Sequence, residues 1–151
     1  KNMAISLFTD EAFMRQALKE AEYAFEKDEV PVGAIVVCKN QVVAKASNAT
    51  EQLTDVTAHA EMQALTAAMN YLGSKYLHEC TLYVTLEPCT MCAGALYWSQ
   101  IGRIVYAAHD EKRGFRAHAG KVLHPATKLA AGVLEAESQK LLQSFFQKKR
   151  K

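Results

Sequence analysis

The stretch Glu87-Pro88-Cys89-Thr90-Met91-Cys92 constrains this chain more than any other. It follows a β-rich run, Thr81 to Leu86, and opens a helical pattern that reaches Ser99. Proline costs nothing at a helix start, where the N–H it lacks would have no partner. Cysteines three apart leave the same face of a helix and can share one ion. The helix dipole there favours the thiolate that a metal needs. Two thiolates do not complete a site. His59, in Thr57-Ala58-His59-Ala60-Glu61, also stands where a helical pattern starts, and with Cys89 and Cys92 it makes three ligands. Zinc with three protein ligands keeps a fourth position open for water, and Glu61 is placed to handle that water's protons. Residues two apart in a regular helix point nearly opposite ways, so His59 and Glu61 serve one ion only if the helix begins there. A CxxC by itself is as often a redox pair or half a structural zinc knuckle. The joint pattern, His-x-Glu followed by Pro-Cys-x-x-Cys, is far more specific.

The rest of the chain supplies a frame for two such helix starts. Thr9 reads as an N-cap, with Asp10 and Glu11 in the favourable first turn and Met14, Leu18, Ala21 and Phe25 at helical spacing. Val32 to Cys38 is a nearly continuous apolar run, the pattern of a strand buried on both faces. Lys39-Asn40-Gln41 predicts a turn, and Gln41 to Ala46 the returning strand of a hairpin. After a polar loop from Asn48 to Val56, Thr57 predicts the cap of a second helix running to Leu72, with Gly73 as its stop. Its small residues, Ala60, Ala64, Ala67 and Ala68, would let it sit close against a sheet. The third helix, Cys89 to Ser99, lies between Thr81–Leu86 and a β-branched run from Arg103 to Ala108, with Gly102 as its stop. Strand, helix and strand with short links form a βαβ unit and imply parallel pairing. Asp110 to Pro125 reads as a loop, Lys128 to Val133 as a short edge strand, and Leu134 to Phe145 as a last helix ending in Lys148-Lys149-Arg150-Lys151. In such a sheet the two metal-bearing helix starts would meet at the strand carboxyl ends, where ligands bind.

A chain of 151 residues suits one domain, residues 1–151, and neither a linker nor a repeat divides it. No apolar run approaches the roughly 20 residues that cross a bilayer, and Lys1-Asn2-Met3 opens no signal-peptide core. Four cysteines, two of them in the CxxC, fit a reducing compartment, so the expected location is cytoplasmic. A formal charge of +2 is too small to argue for nucleic acid.

His-x-Glu with Pro-Cys-x-x-Cys is the signature of zinc nucleobase deaminases, and the sequence resembles the cytidine deaminase-like superfamily. Within it the chain is similar to the bacterial tRNA-specific adenosine deaminases over nearly its whole length. The likeness includes Glu29-Val30-Pro31-Val32-Gly33-Ala34, Asp55 with Thr57 to Glu61, Leu82 to Cys89, Met91 to Ala95, Ile101-Gly102-Arg103, Asp110, and Phe145-Phe146 before the basic end. This resemblance implies a three-layer α/β/α fold around a mixed five-stranded sheet. It also implies Zn2+ as cofactor, a homodimer, and conversion of adenosine to inosine at the wobble position of a tRNA anticodon stem-loop. Water would add at C6 of a base held out of the stack, Glu61 would protonate the ring nitrogen, and ammonia would leave. Asn48 and Asp110 match family positions beside the substrate, and the backbone N–H groups near Ala60 are partners for the base. Two departures stand out: Val56 replaces a usual proline, and Gly114 to Val133 is shorter than the common bacterial form and little like it.

Phe145, Phe146, Lys149 and Arg150 form a tail that could stack bases and grip phosphates. Both rings could equally be core, with the cations merely suiting a helix C-terminus. Cys38 and Cys80 read as buried hydrophobes. His109 and His118 could approach the site from their loop, and Tyr97 and Trp98 read as packing or dimer contacts. Three functions fit these residues: a tRNA adenosine deaminase, a deaminase of free bases or nucleosides of guanine or cytosine type, and a noncatalytic zinc-stabilised nucleic-acid-binding module. Glu61 argues against the last, since a structural zinc would take a fourth protein ligand instead of a proton shuttle.

Overall fold

The computed structural model of this protein describes residues 7–150; Lys1-Asn2-Met3 and the final Lys151 of the basic tail lie outside them. Helix α1 (Asp10–Glu26) starts as the sequence predicts, with the Thr9 hydroxyl accepting the Ala12 N–H at 3.0 Å. Its buried face carries Met14, Leu18 and Ala21 together with Phe13, Ala17 and Ala24. Strands β1 (Gly33–Cys38) and β2 (Gln41–Ser47) form the predicted hairpin. Lys39 and Asn40 both take positive φ, 52° and 62°, as a two-residue turn requires to match the strands' twist.

Strand β3 (Cys80–Leu86) runs antiparallel to β1 and parallel to β4 (Arg103–Ala108), and β4 runs parallel to β5 (Lys128–Ala131). The sheet order is β2-β1-β3-β4-β5. Helix α3 (Thr90–Ser99) makes the β3–β4 crossover of the βαβ unit. Alternation along β1 divides the core: Ile35 and Val37 pack with Phe13, Met14 and Ala17 of α1. Ala34 and Val36 face Ala60, Ala64 and Ala68 of α2 (Ala60–Leu72) and Ala93 and Leu96 of α3. The last helix, α5 (Glu135–Lys149), packs on β3, β4 and α1, on the α1 side. The result is the three-layer α/β/α arrangement with a mixed five-stranded sheet. Among the described residues no helix is long and apolar enough to cross a membrane.

Local assignments move where side chains found other partners. Ala67 is exposed: the stripe facing the sheet follows the i, i+4, i+8 row from Ala60 and leaves Ala67 outside it. Helix α3 stops at Gln100, whose φ of 53° ends the spiral before Gly102 is reached. The segment read as loop from Asp110 to Pro125 contains a single helical turn, α4 (Phe115–His118), anchored by the buried Phe115. Strand β5 ends at Ala131 and does not reach Val133.

Candidate active site

The second and third helices both begin on a metal-type ligand. Thr57 is not the cap of α2: its hydroxyl and its N–H both donate to Asp55 Oδ1 at 2.8 Å, closing a turn one step earlier. His59 takes the N-cap position in an extended conformation, and Cys89 does the same for α3. Neither side chain caps its helix, so both remain available for an ion. Starting α2 at Ala60 resolves the two-residue spacing, because the imidazole leaves from non-helical backbone and Glu61 from the first turn.

Three sequence-distant atoms converge as a result. His59 Nδ1 stands 3.7 Å from Cys89 Sγ and 3.5 Å from Cys92 Sγ. The three ligand atoms all lie within 4.8 Å of one another and could hold a metal ion. The thiols divide their proton affinity. A hydrogen bond from the Cys92 thiol, helped by His59, draws Cys89 down to about 4 against the effect of burial. The neighbouring Cys89 sulfur and burial push Cys92 up. The hydrogen bond to Cys89 raises His59 despite its own burial. Glu61 is 4% exposed, and burial pushes its carboxyl up to about 7. A carboxyl so poised both accepts and returns protons near neutral pH.

His59, Glu61 and Cys89 line a cleft of about 870 Å³ that also takes in Asn48, Ala60, His109, Asp110, Phe146 and Arg150, with Cys92 fully buried. Asn48 is buried just beyond β2, its amide donating to the Val30 carbonyl at 3.4 Å. The loop it opens is tied down by Glu29, whose carboxylate accepts the N–H groups of Glu51 at 3.1 Å and Gln52 at 2.7 Å. His109 Nδ1 lies 3.1 Å from the Tyr106 hydroxyl. His118 turns away to the Lys112 carbonyl.

The tail divides. Phe146 is 44% exposed and faces the cleft with Arg150. Phe145 is 4% exposed with its ring edge-on to Phe25, which places it in the packing between α5 and α1. Lys149 pairs with Asp28 at 2.6 Å, outside that cleft. The reason is the turn of a helix: adjacent residues lie about 100° apart, so one Phe of the pair faces α1 and the next faces the opening. Cys38 and Cys80 sit opposite each other in the β1–β3 register, away from the trio. Glu29 and Glu87 are buried carboxylates that organise two loops of the cleft. Both open stretches that the sequence singles out, Glu29-Val30-Pro31 and Glu87-Pro88-Cys89, but nothing local in those stretches assigns either side chain a role.

This sheet, with two helix starts bearing His59, Glu61, Cys89 and Cys92, defines a deaminase domain: a family model described as MafB19-like deaminase matches residues 8–150. The tRNA-specific adenosine deaminase of Aquifex aeolicus is 46% identical over 145 residues, covering 93% of this chain and 95% of that one. The chain belongs to the tRNA-specific adenosine deaminase family. A solved structure from work on A-to-I editing by tRNA:A34 deaminases at the wobble position has a TM-score of 0.80 at 44% identity, covering 86% of this chain and 98% of its own. Guanine deaminase from Nitrosomonas europaea gives a TM-score of 0.79 at 25% identity, covering 95% of this chain and 88% of its own.

Proposed function

We propose that this chain is a zinc-dependent hydrolase that converts adenosine to inosine at the wobble position of a tRNA anticodon, acting as a homodimer in the cytoplasm, with residues 1–151 as one catalytic domain. The observation that carries this reading is the buried Glu61 beside three converging ligand atoms at the floor of an open cleft. The donor set fits zinc. Bonds of about 2.3 Å to sulfur and about 2.0–2.1 Å to nitrogen, at tetrahedral angles, put the two ligand atoms about 3.6 Å apart. The His59–Cys separations of 3.7 and 3.5 Å bracket that distance. Zinc held there supplies a lowered pKa for a bound water, from about 15.7 to about 7. Glu61 would take a proton from the attacking water and deliver it to the purine ring nitrogen as the water oxygen bonds to C6. It would then carry the proton of the new C6 hydroxyl to the exocyclic amine, whose bond to C6 breaks as the carbonyl forms and ammonia leaves. Asn48 and the first N–H groups of α2, near Ala60, hold the base, while Asp110 meets the adjoining strand.

RNA is favoured over a free base by the reach of the cleft, which runs from the trio to Lys112 and Arg113 on one rim and to Phe146 and Arg150 on another. A single base needs none of that outer wall. Stacking on Phe146 and a phosphate on Arg150 would use it. The homodimer reading is supported by Trp98, 75% exposed on α3 beside Tyr97. The deciding experiment supplies the zinc-loaded protein with an anticodon stem-loop and, separately, with guanine, cytosine and adenosine. Inosine in the RNA is expected. Ammonia from the small molecules with none from the RNA would replace this function with the free-base alternative.

The divided tail gives a second expected result. Arg150→Ala should weaken stem-loop binding and lower the slope of log K against log salt by about one, as for one lost phosphate contact. Lys149→Ala, which removes a cation already paired with Asp28, should leave that slope alone. Equal slopes for Arg150→Ala and the unmodified protein would remove the tail from the RNA surface.

A further inference from the structure

Glu87 precedes the metal-type cysteines, and its carboxylate is enclosed on all sides. Oε1 accepts the Asp110 N–H at 3.0 Å and Arg116 Nη2 at 3.1 Å. Oε2 accepts the Arg116 backbone N–H and Nε, both at 3.1 Å. Three of these four bonds come from one residue, and the two from Nε and Nη2 use the planar fork that a guanidinium has and an ammonium lacks.

The consequence lies in the loop between those two contacts. Its chain closes on itself through Gly114 N–H to the Asp110 carbonyl at 2.9 Å, and through Lys112 and Arg113 N–H groups to Asp110 Oδ1 at 3.2 and 3.0 Å. It is then pinned to the Cys helix start by a bridge between Cys89 and Gly114 and by Phe115 N–H to the Pro88 carbonyl at 2.9 Å. Gly114 lies so near that a Cβ there would meet Glu87 Oε2 at 2.3 Å. Asp110, Lys112 and Arg113 on this loop line the cleft, whereas Arg116 does not.

Resting on the function proposed above, we propose that Arg116 is a positioning residue for RNA recognition: acting through Glu87, it fixes the 109–114 rim of the cleft so that Asp110, Lys112 and Arg113 meet the nucleotides flanking the reacting base. The rim touches neighbours of the base and not the reacting atoms. Loosening it therefore costs binding that is equal in ground and transition states, which appears in KM and not in kcat. A purely structural arginine would show no such division.

The test is steady-state kinetics of the zinc-loaded full chain on the stem-loop. Arg116→Ala is expected to raise KM by about tenfold, with kcat within about threefold of the unmodified enzyme and the zinc-to-protein ratio unchanged. Arg116→Lys, which keeps the charge over Glu87 but not the fork, should fall between the two. If Arg116→Ala does not fold, the KM of Arg116→Lys decides. Unchanged KM in the folded variants, a fall in kcat at constant KM, or loss of zinc would overturn the assignment. An unmodified enzyme that forms no inosine would instead overturn the function. Equilibrium binding of the stem-loop to the same variants would then decide the role of Arg116, weaker binding supporting it and equal binding overturning it.

Discussion

Glu61→Ala is expected to keep its metal and lose about a hundred- to ten-thousandfold in the rate of inosine formation. The carboxyl is enclosed near His59, Cys89 and Cys92, and burial holds it up to about 7. A general acid and base works best when its affinity for a proton lies near the operating pH. Alanine removes the group that carries the proton from water to base and leaves the three ligand atoms where they are. Glu61→Gln, which keeps the shape and a hydrogen bond but cannot ionise, should be as slow. Single-turnover formation of inosine, read beside zinc analysis of the same sample, separates chemistry from metal loss. A variant that retained both zinc and rate would require a different proton carrier, and His109 would be the first to examine.

The second large effect concerns the ligands. Cys92→Ala should lose zinc, fall below measurable inosine formation, and become less stable. A metal held by the trio would join the starts of α2 and α3, which are 30 residues apart at His59 and Cys89 and meet only in the folded chain. A ligand that binds only the folded state adds about 2.7 kcal/mol at a hundredfold excess over its Kd. At about 2–4 °C per kcal/mol for a chain of this size, chelation should lower the Tm of the unmodified protein by roughly 5–11 °C. The Tm of Cys92→Ala should ignore the chelator. A wild-type Tm that ignored it as well would mean that the trio holds no structural share of the metal, and the zinc reading would fail.

The two experiments bear on different parts of one device. The first removes proton transfer from a loaded site, and the second removes the load. Their outcomes diverge most clearly in zinc content, which Glu61→Ala should preserve and Cys92→Ala should abolish. Arg116 adds a third behaviour, with zinc and kcat kept and KM raised, because it works on the rim and not on the floor of the cleft.

Much of this protein could be read along the chain because the physics behind it is local. Apolar residues at helical spacing mark α1, and an unbroken apolar run marks β1 as buried on both faces. Cys89 and Cys92 lie within one helical turn, so their partnership needs no knowledge of the fold. That α2 must begin in the segment carrying His59 and Glu61 also follows from helical geometry alone, and the structure starts the helix at Ala60. What the chain alone could not decide is which side chains distant in sequence share a partner. Thr57 has the composition of a cap, yet Asp55 claims it, and His59 takes the end of the helix. Phe145 and Phe146 are identical neighbours, and only the position of α1 turns one into core and leaves the other at the cleft. Glu87 and Arg116, 29 residues apart, read as ordinary charges until the fold encloses one carboxylate and requires four hydrogen bonds to hold it. Periodicity and ligand spacing are written in neighbouring residues. Burial, and the pairing of charges that burial demands, exist only once the layers have closed.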